Sequence, residues 1–422
     1  MIPRQYISNF ATFLTNKLHL DVRFYGRSFG LMSLAHASGI VRGITTTFLM
    51  ARWLPRNTMG EFRYILAIFG IAGIFSLSGL NSSVIRGVAN GDTGIARAAL
   101  KRILFFSPLG SFALCLAAWE RFAHGETHVA LGILVAAFIF PFYSMSGMYG
   151  AILTGEEKIK SLVKVAVTTN LLFAMMFFLV IFKTKELLPV SIAYFGFDVL
   201  FRGFVTWREV RRLPKTGNMQ EHLRLGKHMS AIGAFQAVAM QLDQILIQRF
   251  FGYGSLANYS VAILIPTQIK NAVNSMGGIV LRRFSRHEQS EIIIQQTRRH
   301  FWTMVGASVA AIAAYALVAP FVLPWLFPQY QNQVLPSIVY SLGLVGLSTI
   351  VGVNFMQAHS QIRRLWIFYA ASTILQIGSN LALIPFFGGW GAIVSKTGTR
   401  LISTVLSYPR LEKPADQPSD KT

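Results

Sequence analysis

Apolar residues in this chain fall into blocks close to twenty residues long, one after another from about residue 30 to residue 408. A helix of about twenty residues crosses the roughly 30 Å hydrocarbon core of a bilayer. It also satisfies its own backbone hydrogen bonds, which lipid cannot do for it. Composition agrees: 53% of the 422 residues are hydrophobic and 13% charged, with a mean hydropathy of +0.48. Such a chain has too little polar surface to cover a soluble globule. The blocks predict an all-α polytopic membrane protein with about twelve transmembrane helices. The spans fall at about 30–52, 63–83, 102–120, 129–152, 163–183, 188–207, 229–250, 258–280, 301–323, 335–357, 365–385 and 390–408. The eighth, with Gln268, Lys270, Asn271 and Asn274, and the twelfth, with Lys396 and Arg400, are the most polar.

A formal net charge of +22 would suggest a nucleic-acid partner in a soluble protein. Here the Lys and Arg sit in alternate loops, so the positive-inside rule accounts for them and no nucleic-acid partner is implied. The N-terminus, the even-numbered loops and the C-terminus together hold about 27 of them, the odd-numbered loops about seven. That asymmetry places both termini in the cytoplasm. Extramembrane loops are short, and the longest, at 208–228 and 281–300, are basic. Cys115 is the single cysteine and lies within an apolar block, which excludes disulfides, redox CxxC chemistry and cysteine zinc sites.

The expected organisation is a cytoplasmic segment at 1–27, a six-helix lobe at 28–208, a basic linker at 209–227, a second six-helix lobe at 228–408 and a disordered tail at 409–422. In the first segment Tyr6, Phe10, Phe13, Leu14 and Leu18 recur at helical spacing. This reads as an amphipathic surface helix, or as the lead into the first span. The tail carries Pro409, Pro414 and Pro418. The two lobes resemble each other at an offset of about 197. Ala51-Arg52-Trp53-Leu54 lies opposite Gln248-Arg249-Phe250-Phe251, Arg86 opposite Arg283, and Lys101-Arg102 opposite Arg298-Arg299. Two copies of six spans share one orientation, as in transporters built from parallel repeats, with a cleft between them near the bilayer midplane.

Four stretches carry a resemblance to a known family. They are Gly60-Glu61-Phe62, Gly79-Leu80 through Arg86, Asn258-Tyr259-Ser260-Val261-Ala262, and Ile384-Pro385-Phe386-Phe387-Gly388-Gly389-Trp390-Gly391-Ala392. In their order and spacing the chain resembles the multidrug/oligosaccharidyl-lipid/polysaccharide (MOP) exporter superfamily. Within it, the chain is similar to the polysaccharide-biosynthesis branch that holds the O-antigen flippases. The resemblance covers about residues 25–408. It implies a V of two six-helix lobes, as in MATE transporters, with the first, second, seventh and eighth helices lining a central cavity. It also implies a substrate, an oligosaccharide on a polyprenyl pyrophosphate flipped between leaflets of a bacterial inner membrane, with membrane lipids and polysaccharide assembly machinery as partners.

An ionisable group near the bilayer centre costs roughly 2.5–3.5 kcal/mol on insertion scales, so each needs an account. Arg42 lies mid-way along the first span with Ser38 and Thr46 one turn to either side. It is expected to contact substrate; the alternative is a structural arginine bonded to a neighbouring carbonyl or snorkelling to an interface. Lys270, with Asn271, Asn274 and Ser275 nearby, would bring a second positive charge into the same cavity, where a pyrophosphate would accept charge-assisted bonds. Asp243 has Gln236, Gln244 and Gln248 along its helix, and would bind a coupling ion or neutralise Lys270 or Arg42. Arg86 and Arg283 end their helices in equivalent positions, at the cavity mouth or as ordinary anchors. Asp198 and Arg202, four apart, suit a structural pair. Lys396 and Arg400 share a helix face with no partner evident from sequence.

No catalytic set emerges. His287-Glu288 lacks the second histidine of a HExxH site, and neither a phosphate-binding glycine loop nor a nucleophile elbow occurs, so the chain is read as a transporter without cofactor or metal. Two alternatives stand beside the flippase. A MATE-like cation-coupled exporter of drugs or metabolites would prefer an acidic cavity, with Asp243 at its centre. A membrane polysaccharide polymerase would be expected to carry a large outer loop, and every outer loop here is short.

Overall fold

The computed structural model describes residues 22–214, 219–274, 291–358 and 361–409. The N-terminal surface helix expected before residue 22, part of the 209–227 linker and nearly all of the tail lie outside them. Among the described residues the chain is helical throughout, and the all-α membrane class is borne out.

The first lobe contains α1 (Val22–Trp53), α2 (Arg56–Ala72), α3 (Leu80–Ala89), α4 (Ile95–Ala123), α5 (Thr127–Ser146), α6 (Met148–Gly155), α7 (Ile159–Lys183) and α8 (Leu187–Arg212). The second contains α9 (Met219–Ala262), α10 (Leu264–Asn274), α11 (Glu291–Leu326), α12 (Val334–Ser341), α13 (Thr349–Ala358) and α14 (Ile362–Leu406). Several expected spans are broken helices. The second is α2, a 3-10 turn at Gly73–Ser76, and α3. The fourth is α5 and α6, and the tenth is α12, a 3-10 turn at Leu342–Ser348, and α13. Conversely, α14 holds the last two expected spans and α9 holds the seventh with the start of the eighth, each helix broken at one glycine. Gly252 (φ 78°) and Gly388 (φ 57°) occupy the left-handed region, which needs no loop when Cβ is absent.

Packing follows membrane rather than aqueous logic. On α4 the buried face reads Ala96, Ala99, Ile103, Ser107, Gly110, Leu114 and Ala118, mostly small residues. Its exposed face reads Phe105, Leu109, Phe112, Leu116 and Trp119, at spacings of four and three. Phe105 on α4 and Phe138 on α5 are 77% and 78% exposed. Contiguous apolar stripes of that size belong against lipid, while small residues let the helices approach each other.

Among the described residues, eight stretches are long and apolar enough to cross a membrane: Arg56–Ser76, Ile95–Ala123, Thr127–Gly155, Ile159–Lys183, Leu187–Arg212, Gln295–Leu326, Pro328–Met356 and Arg363–Leu406. The last bends at Gly388 and serves as two. Helices α1, α9 and α10, which are not among them, stand along the seam between the lobes, where polar side chains face an interior cavity. Helix α2 packs against α9 along its length, and α1 meets α10 where Gly43 faces Gln268.

The two ends of the bundle differ. At one, Arg56 donates to the Gln329 carbonyl at 2.6 Å and its guanidinium stands 5.4 Å from the Tyr330 ring centre. There Tyr253 also donates to Glu126 and packs edge-on against Tyr64 at 5.7 Å, so both lobes meet. The opposite end is basic. Arg212 pairs with Glu156 and Glu209, while Arg97 caps the Leu213 carbonyl at 3.0 Å and Arg364 the Tyr408 carbonyl at 3.1 Å.

The lobes touch most closely at Gly60, where a Cβ would run into the Tyr253 carbonyl. Backbone cannot yield as a flexible side chain can, so even Gly60→Ala must part α2 from α9. Overpacking of this kind costs about 1–3 kcal/mol, and Gly60→Ala is expected to melt below wild type in detergent. Gly150→Ala, with open space beside it, should melt as wild type.

Candidate functional site

Two cavities adjoin at the seam. The first, about 420 Å³, is lined from one lobe by Arg42, Thr46, Thr47, Arg63, Asn170, Asp198 and Arg202, and from the other by Gln244, Ser260, Thr267 and Gln268. The second, about 520 Å³, shares Arg63, Tyr143, Tyr194, Arg202 and Gln244 with it and continues past the helix breaks at Gly73 and Gly147. Among the described residues, the charged groups lining them are Arg42, Arg63, Arg202 and Asp198: three guanidinium groups and one carboxylate, a formal +2.

Arg42 is held from every side. Both its terminal nitrogens donate to Asp198, each at 2.8 Å, in the two-pronged geometry that suits a guanidinium. The guanidinium lies 3.7 Å from the Phe173 ring centre, a cation–π contact. Thr46 donates to the Arg42 carbonyl at 2.7 Å, and Asn170 donates to Ser38 at 2.9 Å, tying α7 to α1. Asp198 is shared: Arg202 Nε stands 3.4 Å from it, while Arg202 also donates to Asn170 Oδ1 at 3.2 Å. The pair expected within α8 is present, but the shorter ion pair of Asp198 runs to α1.

Arg63 is the residue sequence reading missed. The second span was expected to begin at 63, which would leave Arg63 at the boundary; the helix begins at Arg56. Seven residues of helix carry Arg63 about 10 Å inward. Pro55 immediately before the helix was the available signal, since proline favours helix starts. Arg63 donates to Thr47 at 2.5 Å, its Nε has no hydrogen-bond partner, and among the described residues no carboxylate pairs with it.

The second lobe holds a separate polar cluster. Asp243 is fully buried, accepts from Tyr259, and pairs with Lys396 at 2.6 Å. Lys396 also reaches the Met240 carbonyl at 3.4 Å. The partner of Asp243 is therefore neither Arg42 nor Lys270, and Lys396 has the partner that sequence left open. Arg400 donates to the Tyr340 hydroxyl at 2.7 Å with its guanidinium 4.6 Å from that ring centre.

Of the other expected site residues, Lys270 does not line the cavities with Arg42; its charged neighbours are Arg400 and Lys396. Gln244 lines both cavities and donates to Gln241 at 2.6 Å. Gln236 is half-buried on α9 and lines neither. Arg86 is exposed on α3, away from both. Arg283 and the side chain of Asn274 lie outside the described residues.

Residues 26–288 match the sequence profile of the family described as polysaccharide biosynthesis protein. A comparison with curated protein sequences finds no match. Among solved structures, the fold is similar to the lipid II flippase MurJ in an inward closed conformation (TM-score 0.68, 14% identity, 89% of this chain and 86% of that one). It is similar to a multidrug resistance MATE family transporter of the MOP superfamily in an outward-facing conformation (0.58, 15%, 90% and 96%). A MOP superfamily transporter from Pyrococcus furiosus, titled for the reverse polarity of its binding pocket, also matches (0.61, 12%, 92% and 94%). At these identities the likeness concerns the fold.

If Lys396 is the permanent partner of Asp243, Lys396→Met strands a buried carboxylate. Breaking a buried pair this way costs about 3–5 kcal/mol, so the purified protein should melt well below wild type. The double change Asp243→Asn with Lys396→Met should recover most of the loss. A fully stable Lys396→Met whose melting rises with added sodium would instead mark Asp243 as a site for an exchangeable cation.

Proposed function

The chain belongs to the polysaccharide biosynthesis protein family, and from that premise we propose that it flips a polyprenyl-pyrophosphate-linked oligosaccharide from the cytoplasmic to the outer leaflet of a bacterial inner membrane. The observation that carries this reading is the cavity between the lobes, where among the described residues Arg42, Arg63 and Arg202 face one carboxylate, that of Asp198. A pyrophosphate entering it meets an excess of guanidinium groups, which bind phosphate oxygens in pairs. At an effective dielectric of about 20, each close charge pair contributes about 4 kcal/mol before desolvation is subtracted. The surplus favours an anionic head group over a neutral one.

An exported organic cation would meet the same surplus as repulsion. Asp243, the acid such an exporter would use, is already neutralised by Lys396. Both observations favour the flippase over the cation exporter. The family and the fold shared with MurJ and MATE transporters support transport as the role. Enzymes that build and polymerise the glycan are the partners this reading expects.

The basic end is assigned to the cytoplasm and the Arg56 end to the outside. The moving parts are the lobes at 28–208 and 228–408, rocking in alternating access. The polyprenyl tail would stay in lipid while the head group enters the cavity. Parting Arg56 from Gln329 and Tyr253 from Glu126 is the step that would open the cavity outward. A potential negative inside favours outward movement of an anion by about 2.3 kcal/mol per charge per 100 mV. No ion need then be coupled through Asp243.

Cells lacking the protein are expected to accumulate polyprenyl-pyrophosphate oligosaccharide on the cytoplasmic leaflet, and wild-type protein to clear it. Arg63→Gln, at wild-type abundance in the membrane, should restore less than about a tenth of the surface glycan, a loss equivalent to one charge-assisted contact. Full restoration by Arg63→Gln would sink the cavity assignment. Normal surface glycan in the deletion strain, with altered sensitivity to cationic drugs, would favour the exporter.

A further inference from the structure

Among the described residues, each lobe carries one ion pair between its first and last spans, and the two pairs have opposite polarity. In the first lobe the cation Arg42 is on α1 and the anion Asp198 on α8, at 2.8 Å. In the second the anion Asp243 is on α9 and the cation Lys396 on α14, at 2.6 Å. Four residues beyond Asp198 and Lys396, the last span carries a further cation, Arg202 and Arg400 respectively. The pairs differ in what they face. Asp243 and Lys396 line neither cavity, whereas Arg42 and Asp198 both line the first.

We propose that Asp198 is a resident counter-anion, occupying in the empty cavity the fork of Arg42 that the substrate's phosphate takes, and handing it over when substrate enters. This rests on the pyrophosphate reading of the cavity. A carboxylate and a phosphate each present a pair of oxygens that a guanidinium fork grips with two parallel N–H bonds. The two ligands therefore compete for the same two nitrogens.

Displacing a buried carboxylate is ordinarily prohibitive, because it is left without a partner. Asp198 has one in reserve. Arg202 Nε already stands 3.4 Å away, a distance that can shorten. Asn170 sits between the two arginines, its Oδ1 accepting from Arg202 at 3.2 Å and lying 3.4 Å from Arg42. Asp198 can thus move from Arg42 toward Arg202 without becoming an isolated charge. Arg63, with no carboxylate of its own among the described residues, supplies a second grip on the incoming group. Asp198 keeps a cationic partner at each stage, and the exchange runs backwards on release. Asp198 acts on substrate through Arg42, as a positioning residue that holds affinity below the maximum the arginines could deliver.

The test measures binding of inorganic pyrophosphate to the full-length protein in nanodiscs of zwitterionic lipid, with melting followed in parallel. Asp198→Asn should bind pyrophosphate about tenfold more tightly than wild type, as expected when one competing charged contact is removed. Asp198→Glu, which restores a carboxylate, should stay near wild type. The gain should shrink by at least about half when Arg42→Gln is added, since the fork contested is that of Arg42. Asp198→Asn with wild-type melting and no tighter binding would overturn the handover, while loss of binding in Arg63→Gln would leave the cavity reading intact. Absence of pyrophosphate binding in every variant, wild type included, would remove the cavity reading itself. Should Asp198→Asn fail to fold, infrared difference spectra of the wild type decide: a carboxylate band shifted by pyrophosphate supports the exchange, and unchanged bands in protein that binds pyrophosphate refute it.

Discussion

A charge inside a membrane protein has to find its partner within the protein, and the two ion pairs that tie the first span of each lobe to the last are the constraint on which this architecture rests. Water and salt screen a surface pair until it contributes almost nothing. Between helices in lipid there is little screening, and an unpaired ion is strongly disfavoured. Arg42 with Asp198, and Asp243 with Lys396, therefore fix which helices must be neighbours and at what depth. Asn170 and Arg202 beside the first pair, and Tyr259 beside the second, satisfy part of what the pairs leave over.

Apolar packing works around these fixed points. Large side chains such as Phe105 and Trp119 lie outward and small ones inward, so helices approach closely and the polar groups meet in the middle. At the seam the same principle reaches its limit at Gly60, whose bare Cα lets α2 lie on the backbone of α9. Broken helices at Gly73 and Gly147 open the second cavity beside the first. Irregular backbone is tolerated at membrane depth when it borders a polar interior.

The two lobes share a plan but use it differently. In the second, the acid and its lysine pair with each other and line neither cavity. In the first, the arginine and its acid border the cavity, beside Arg63, which has no acid of its own among the described residues. Among the described residues the ionisable groups of the cavity leave a surplus of positive charge, and the proposed exchange of partners would take place within it.

Much of this was legible in the sequence. Block length fixes the membrane class, because backbone hydrogen bonding in lipid permits little else. The even-loop arginines and lysines predict an orientation, and Arg42, Asp198, Lys396 and Arg400 stand out because ionisable groups are rare in apolar helices. Partnership was not legible. Asp198 announces Arg202, four residues away on the same helix, yet its shorter ion pair is with Arg42, 156 positions distant. Asp243 and Lys396 are 153 positions apart and come together only once α9 and α14 pack. Arg63 fell at the boundary of its expected span because the helix starts earlier than the apolar run. The sequence by itself determined that the chain is a bundle of apolar membrane helices and which charges they carry, since both depend on local chemistry. Tertiary structure alone decided which charges neutralise one another and which face the cavity, because Coulomb energy depends on distance in space and not along the chain.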